Sequence, residues 1–251
     1  MKTRIFFTIL FALMLFAGQS ISAENDKGKD LVLQHVRNAT IKLTSGDTTF
    51  LIDPMLAETG AYEGFPNSYR SYLRNPLTPL PMPVKDVLEG VDAVILTHTH
   101  LDHWDKAAQD ALPKNIPFYV QNEEDAKIVR GQGFSNVRIM KPSDEFGGIK
   151  LERAATQHGT NAMYADPVLG KLLGDVMGVV FTTRNGKRAY LAGDTIWFKG
   201  VDDALAKHKP DIIILNSGGA SVDMEKFKES SEIIMGKDDV LKMAKVMPNS
   251  N

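Results

Sequence analysis

The chain has 251 residues, 43% of them hydrophobic and 24% charged, with a formal net charge of −2 and no cysteine. These figures exclude a disordered, collagenous or fibrous chain. They also exclude a disulfide framework, a thiolate-held metal and a thiol nucleophile, so that any metal must be held by His, Asp and Glu.

Residues 1–23 read as a cleaved secretory signal. Lys2 and Arg4 precede an apolar run from Ile5 to Ala17, and the small residues Ser20 to Ala23 precede the polar Glu24 to Lys27. The run is shorter than the roughly 20 apolar residues that span a bilayer. Cleavage near Ala23 is therefore expected to leave no stable membrane anchor, and a secreted chain without cysteine suits a bacterial periplasm. Asn38-Ala39-Thr40 is then a chance match to a glycosylation acceptor.

Leu31 to Leu43 and Thr48 to Ile52 are β-rich runs joined by the turn Ser45-Gly46-Asp47. After Asp53-Pro54 the pattern becomes irregular. Five of the twelve prolines fall between Phe65 and Val84, which bars a helix or central strand and marks a long loop. From Val91 helices and strands alternate, beginning with strand Asp92–Thr97, helix Lys106–Leu112, strand Pro117–Gln121, helix Glu123–Arg130 and strand Asn136–Met140. Strands near Ile149–Thr156 and Val176–Thr183 follow, then a hairpin turn at Arg184–Lys187 into strand Arg188–Ala192. Helix Val201–Lys207, strand Asp211–Leu215 and helix Lys237–Met247 complete the pattern. Without an internal repeat, residues 24–251 read as one α/β domain.

The chemistry concentrates in Thr97-His98-Thr99-His100-Leu101-Asp102-His103-Trp104-Asp105. A His-x-His-x-Asp-His string arises by chance roughly once in ten thousand chains of this length. It follows a buried strand, and ligands of open α/β sheets bind outside the carboxyl ends of strands. His98 and His100 project to one side and can reach one ion, while the turn into the next helix swings Asp102 and His103 toward a second position. His158, flanked by Gln157 and Gly159 after a strand, reads alone as a loop histidine and beside the string as a third ligand. Asp194, after Gly193 and before Thr195, reads alone as a turn, yet a carboxylate there can bridge two ions. His35, in an edge-like strand, and His208, in a basic run, are expected to be solvated.

His98-x-His100-x-Asp102-His103, His158 and Gly193-Asp194-Thr195 together resemble the metallo-β-lactamase fold superfamily. The wording of Phe50–Pro54, Leu96–Asp105 and Tyr190–Thr195 is similar to its branch of ascorbate-6-phosphate lactonase-like metal-dependent hydrolases. The resemblance covers residues 31–251 and implies an αββα sandwich, two mixed β-sheets flanked by helices, with metals at one edge. It implies that His98, His100 and His158 hold a first ion, Asp102 and His103 a second, with Asp194 bridging. The family usually adds a histidine on a further strand near the C-terminus. No histidine follows His208, and the chain stops at Asn251 just after a helix, so the sequence is expected to be cut short of that strand.

The resemblance further implies a zinc-dependent hydrolase with one or two Zn²⁺ per chain, Mn²⁺ or Fe²⁺ being the alternatives. A divalent ion lowers the pKa of bound water to about 7, and a second polarises the group under attack. Asp102 would orient the nucleophile and return a proton to the leaving group. The Phe65–Pro83 and Asn161–Asp175 segments would shape the pocket around a small ester, lactone or other anionic substrate. The competing readings are a phosphodiesterase or phospholipase D-like hydrolase and a catalytically silent metal-binding protein. A pI near 6.3 without a long Lys/Arg run gives nothing to collect phosphate backbones, so no nucleic-acid partner is expected. Oligomeric state is not encoded in any of these features.

Overall fold

The computed structural model of the protein describes residues 31–229 and 231–247. The signal-like residues 1–23 and the terminal residues 248–251, on which the export and truncation expectations rest, lie outside them.

Period-two alternation along the strands sorts the core into layers. One sheet contains, in chain order, β1 (Val32–Arg37), β2 (Thr40–Ser45), β3 (Thr48–Ile52), β4 (Ala93–Ile95), β5 (Phe118–Val120) and β6 (Val137–Ile139). Its first three strands are antiparallel, and β3 to β6 are parallel. The second sheet has the order β11 (Ile212–Ile214), β10 (Arg188–Leu191), β9 (Gly178–Thr182), β8 (Ile149–Ala154) and β7 (Ser143–Phe146). It is antiparallel except for the β10–β11 pair, so both sheets are mixed. Among the described residues the α-helices are α1 (Val84–Leu88), α2 (Lys106–Ala111), α3 (Glu123–Gly131), α4 (Asn161–Ala165), α5 (Leu169–Leu173), α6 (Lys199–His208) and α7 (Lys237–Val246).

Ile41, Leu43, Phe50, Ile52 and Ile95 of the first sheet meet Leu151, Val179, Phe181 and Leu191 of the second in one buried layer. Their chain neighbours face outward. Leu51, Val94, Phe118 and Val120 pack with Ala108 of α2 and Ala126 and Val129 of α3, and Val180 and Tyr190 pack with Val201, Ala204 and Leu205 of α6 and Met243 of α7. Each fully buried Val, Leu, Ile or Phe contributes about 1.5–3 kcal/mol by leaving water. Strands apolar on both faces therefore need cover on both, and the result is the expected αββα sandwich.

Several local expectations need correction. The run Leu31 to Leu43 is two strands, because the chain reverses at Asn38-Ala39 with Asn38 at φ 49°; Asn enters this left-handed region more readily than most residues. Residues 161–175, expected as a loop, carry α4 and α5, each too short to show a helical period. Strand β7 and helix α1 have no counterpart among the predicted elements. His208 is buried, with Nδ1 3.8 Å from Glu152 Oε2. Val201, Ala204, Leu205 and His208 recur at helical spacing on the inward stripe of α6, and that periodicity outweighs the flanking lysines.

Strands β3 and β4 are parallel, and β8, β10 and β11 share one direction. The segments leaving their carboxyl ends meet at one edge of the sandwich.

Candidate metal centre

The site starts from a carboxylate at the end of β3. Asp53 is buried, at φ 45°, and its backbone N–H donates to the Ile95 carbonyl at 3.0 Å, which pins the ends of β3 and β4 together. Its Oδ1 accepts from the Thr97 N–H at 2.7 Å. Its Oδ2 accepts from the Thr97 hydroxyl at 2.7 Å and from His103 Nδ1 at 2.9 Å. The turn that follows is closed by His103 N–H and Trp104 N–H donating to the His100 carbonyl at 3.0 and 2.8 Å. The Asp105 carboxylate accepts from the N–H groups of Leu56, Ala57 and Ala108, tying the turn to the segment after β3.

Each of four histidines has one ring nitrogen committed to a protein acceptor. The Thr97 hydroxyl spends its proton on Asp53, so its oxygen accepts from His98 Nδ1 at 3.1 Å. His100 Nε2 donates to the Leu172 carbonyl at 2.7 Å, and His158 Nδ1 to the Ile233 carbonyl at 2.8 Å. His103 Nδ1 is held by Asp53. A carbonyl or carboxylate only accepts, so these bonds set the tautomers and direct His98 Nε2, His100 Nδ1, His158 Nε2 and His103 Nε2 inward. His98 Nε2 and His100 Nδ1 then face each other at 2.9 Å with no proton on either nitrogen of the neutral rings. Two opposed lone pairs at that distance fit a cation placed between them.

Asp194 enters from beyond β10. Gly193 before it has φ +70°, and a Cβ there would lie 2.9 Å from the Met177 carbonyl oxygen, so the close approach requires glycine. Asp194 Oδ2 lies 3.2 Å from His103 Nε2 and 3.8 Å from His158 Nε2, between the two halves of the cluster. Its Oδ1 accepts from Asn216 Nδ2 at 2.7 Å, which fixes the carboxylate plane. Asp102 Oδ2 stands 3.9 Å from His103 Nε2, with its side chain 35% exposed.

Burial opposes charge throughout the cluster. It drives His98 well below the ordinary histidine range, aided by His103 and His100, and it lowers His100, aided by the neighbouring His158 ring. Burial acts on His103 in the same direction, but Asp194, Asp53 and Asp102 outweigh it and hold that ring well above its usual value. Burial likewise opposes ionisation of Asp194, and His103, His98 and His158 outweigh it to keep the carboxylate ionised. A buried carboxylate is thus sustained by positive charge, the environment a divalent cation supplies.

Two groups of three residues place one ligand atom each within 4.8 Å of the others: His98, His100 and His158, and His98, His103 and Asp194. The donor set is imidazole and carboxylate, which suits Zn²⁺ and related divalent ions. The structure thus brings together His98, His100, His103, His158 and Asp194, and leaves Asp102 at the rim of the second group.

A cavity of about 300 Å³ opens over Asp102, His103 and Asp194. Its walls also include His35, Asn38, Ala39 and residues 215–218, with no lysine or arginine among the described residues that line it. The segments expected to shape it are not among the lining residues; residues 161–175 act instead on His100 through the Leu172 carbonyl. Asp53 and Asn216 escaped the sequence reading. The signal that could have found them is the one that exposed His98, a polar residue directly after an apolar strand.

Residues 48–250 match a family model described as a beta-lactamase superfamily domain. The UPF0173 protein YddR of Bacillus subtilis (strain 168) is 43% identical over 218 residues, covering 87% of this chain and 82% of its own length. Among solved structures, isothiocyanate hydrolase from Delia radicum gut bacteria is 49% identical with a TM-score of 0.82, the match covering 87% of this chain and 82% of that one. A "possible metal-dependent hydrolase" from Veillonella parvula DSM 2008 is 43% identical with a TM-score of 0.84, covering 88% and 84% of the two chains.

Proposed function

The chain belongs to the beta-lactamase superfamily as a metal-dependent hydrolase, and from that membership we propose a zinc enzyme that hydrolyses small, uncharged carbon electrophiles, isothiocyanates foremost. The observation that carries this reading is the convergence of four imidazole nitrogens and one carboxylate oxygen next to a cavity of about 300 Å³ that His103 and Asp194 line. The 49% identity to an isothiocyanate hydrolase supports the substrate class. The absence of lysine and arginine from the lining favours an uncharged substrate over the anionic one expected from the motif.

His98, His100 and His158 would hold one ion, and His103, Asp102 and Asp194 a second. When bound, such ions lower the pKa of water to about 7 and polarise the group under attack. Asp102, half-buried on the cavity floor, receives the proton that water loses as its oxygen bonds to the central carbon, and returns it to nitrogen. The resulting thiocarbamic O-acid passes its O–H proton to nitrogen as the C–N bond breaks, releasing amine and carbonyl sulfide from one isothiocyanate and one water.

Zinc-loaded protein is expected to release benzylamine from benzyl isothiocyanate with kcat/KM at least about tenfold above that for phenyl acetate or γ-butyrolactone. Dialysis against EDTA should abolish turnover, and added zinc should restore it. Turnover of bis(p-nitrophenyl) phosphate in place of the carbon substrates would make the protein a phosphodiesterase. A full metal load without turnover of any of them would make it a binding protein.

We also propose export to the periplasm with removal of residues 1–23. Among the described residues no helix is long and apolar enough to cross a membrane. N-terminal sequencing of protein expressed in a bacterial host should begin at or near Glu24 in the periplasmic fraction. Intact Met1 in the membrane fraction would make the apolar run an anchor.

A further inference from the structure

Part of the cavity wall is the tip of the β1–β2 hairpin, and it is built more rigidly than a surface turn requires. The pairing of β1 with β2 shifts register between His35 and Arg37, so Val36 is an extra residue in the ladder. Such bulges re-aim the neighbouring side chains and recur beside active sites. Here Val36 and Arg37 are buried while His35 stays exposed on the cavity. The Arg37 guanidinium donates to the carbonyls of Met55 at 2.7 Å, Ala57 at 2.9 Å and Thr78 at 3.1 Å. The Thr40 hydroxyl donates to the Asp53 carbonyl at 2.8 Å and accepts from the Met55 N–H at 2.9 Å. The tip is therefore clamped to the same segment whose Asp53 holds His103.

His35 is itself oriented. Its Nε2 lies 2.7 Å from the Asn38 carbonyl oxygen, which only accepts, so Nε2 carries the proton and Nδ1 of the neutral ring is an acceptor. Among the described residues Nδ1 has no hydrogen-bond partner. The Asn38 bond accounts for Nε2, and among the described residues no contact accounts for Nδ1 of this cavity-lining imidazole.

We propose that His35 is a substrate-contacting, specificity-determining residue whose Nδ1 accepts a hydrogen bond from an N–H of the bound molecule or of its hydrolysis product. The inference rests on the hydrolase reading above. It takes that reading further, because addition of water to an isothiocyanate creates an N–H that the substrate lacks. An acceptor placed for it favours the adduct and the amine over the starting molecule.

The test compares the zinc-loaded wild type with His35→Phe, which keeps the ring size and loses the acceptor, and His35→Gln, which restores an acceptor. Benzylamine binding is measured by ligand-observed NMR, and benzyl isothiocyanate kinetics, zinc content and Tm are measured in parallel. His35→Phe should weaken benzylamine binding and lower kcat/KM by about fivefold each, with His35→Gln recovering to within about twofold. Zinc content should be equal in all three proteins. Equal benzylamine binding by the wild type and His35→Phe, or no binding by the wild type, overturns the proposal. So does a loss of zinc or a marked fall in Tm in His35→Phe, since His35 would then be structural. If the wild type binds benzylamine but does not turn over benzyl isothiocyanate, the hydrolase reading fails, and the binding comparison still decides the role of His35.

Discussion

Replacing His98 by alanine should remove the first metal ion and lower kcat/KM by at least about 10³-fold, because His98 is one of the three imidazoles that would hold that ion and also lies beside His103 and Asp194. His158→Ala removes a ligand of the same ion, so each variant should retain about one ion per chain, the one that His103, Asp102 and Asp194 would hold. The fold should survive in both. His98 sits at the end of β4, outside the apolar layers, and the metal-free site gains by losing a buried ring that faces another lone pair at 2.9 Å. Elemental analysis, circular dichroism and activity, with His208→Gln as a control remote from the site, check the expectation. Full metal retention by His98→Ala would refute the assignment of the centre.

The second large effect is expected from a residue that would touch no metal. Asp53 accepts three hydrogen bonds, two from Thr97 and one from His103. An asparagine keeps the shape but replaces one acceptor oxygen by an N–H₂ group. If that group takes the Oδ2 position it meets the Thr97 hydroxyl and the His103 N–H, both of which donate there. If it takes the Oδ1 position it meets the Thr97 backbone N–H. At least one buried donor is unpaired either way, and the charge facing His103 is gone. Removing one partner of a buried ion pair costs about 3–5 kcal/mol, and loss of the group that orients a metal-binding histidine lowers metal affinity by about 10–100-fold. Asp53→Asn should therefore lower stability and second-ion affinity together, measured by denaturant unfolding of the metal-free protein and by competition with a chromogenic chelator. An unchanged chelator titration would mean that His103 keeps its orientation without Asp53.

Much of the architecture is legible in the chain. The apolar runs in Thr48–Ile52, Val176–Thr183 and Arg188–Ala192 forecast strands, and those strands occupy the two sheets. The signal fails where an element is too short to show a period, as in α4 and α5, or where one residue reverses the chain, as at Asn38. It misleads at His208, whose lysine neighbours suggest solvent while its helical spacing turns it inward.

For the centre the division is sharper. The His98 to His103 string is dense because one turn after one strand supplies four candidate ligands, and that density is visible without a fold. His158 and Asp194 acquire meaning only when β8 and β10 bring their carboxyl ends to the same edge as β4. The groups that orient the rings are less visible still. The carbonyls of Leu172 and Ile233 set the tautomers of His100 and His158, and a backbone carbonyl is the same whatever side chain its residue bears. Asp53, Asn216 and His35 are polar side chains of ordinary kinds, scattered over more than 180 positions of the chain. Composition and spacing determined which residues could bind a metal. Only the tertiary structure decided which nitrogen of each ring faces inward, what holds it there and which wall a substrate meets, because those are set by distances between segments that share no local pattern.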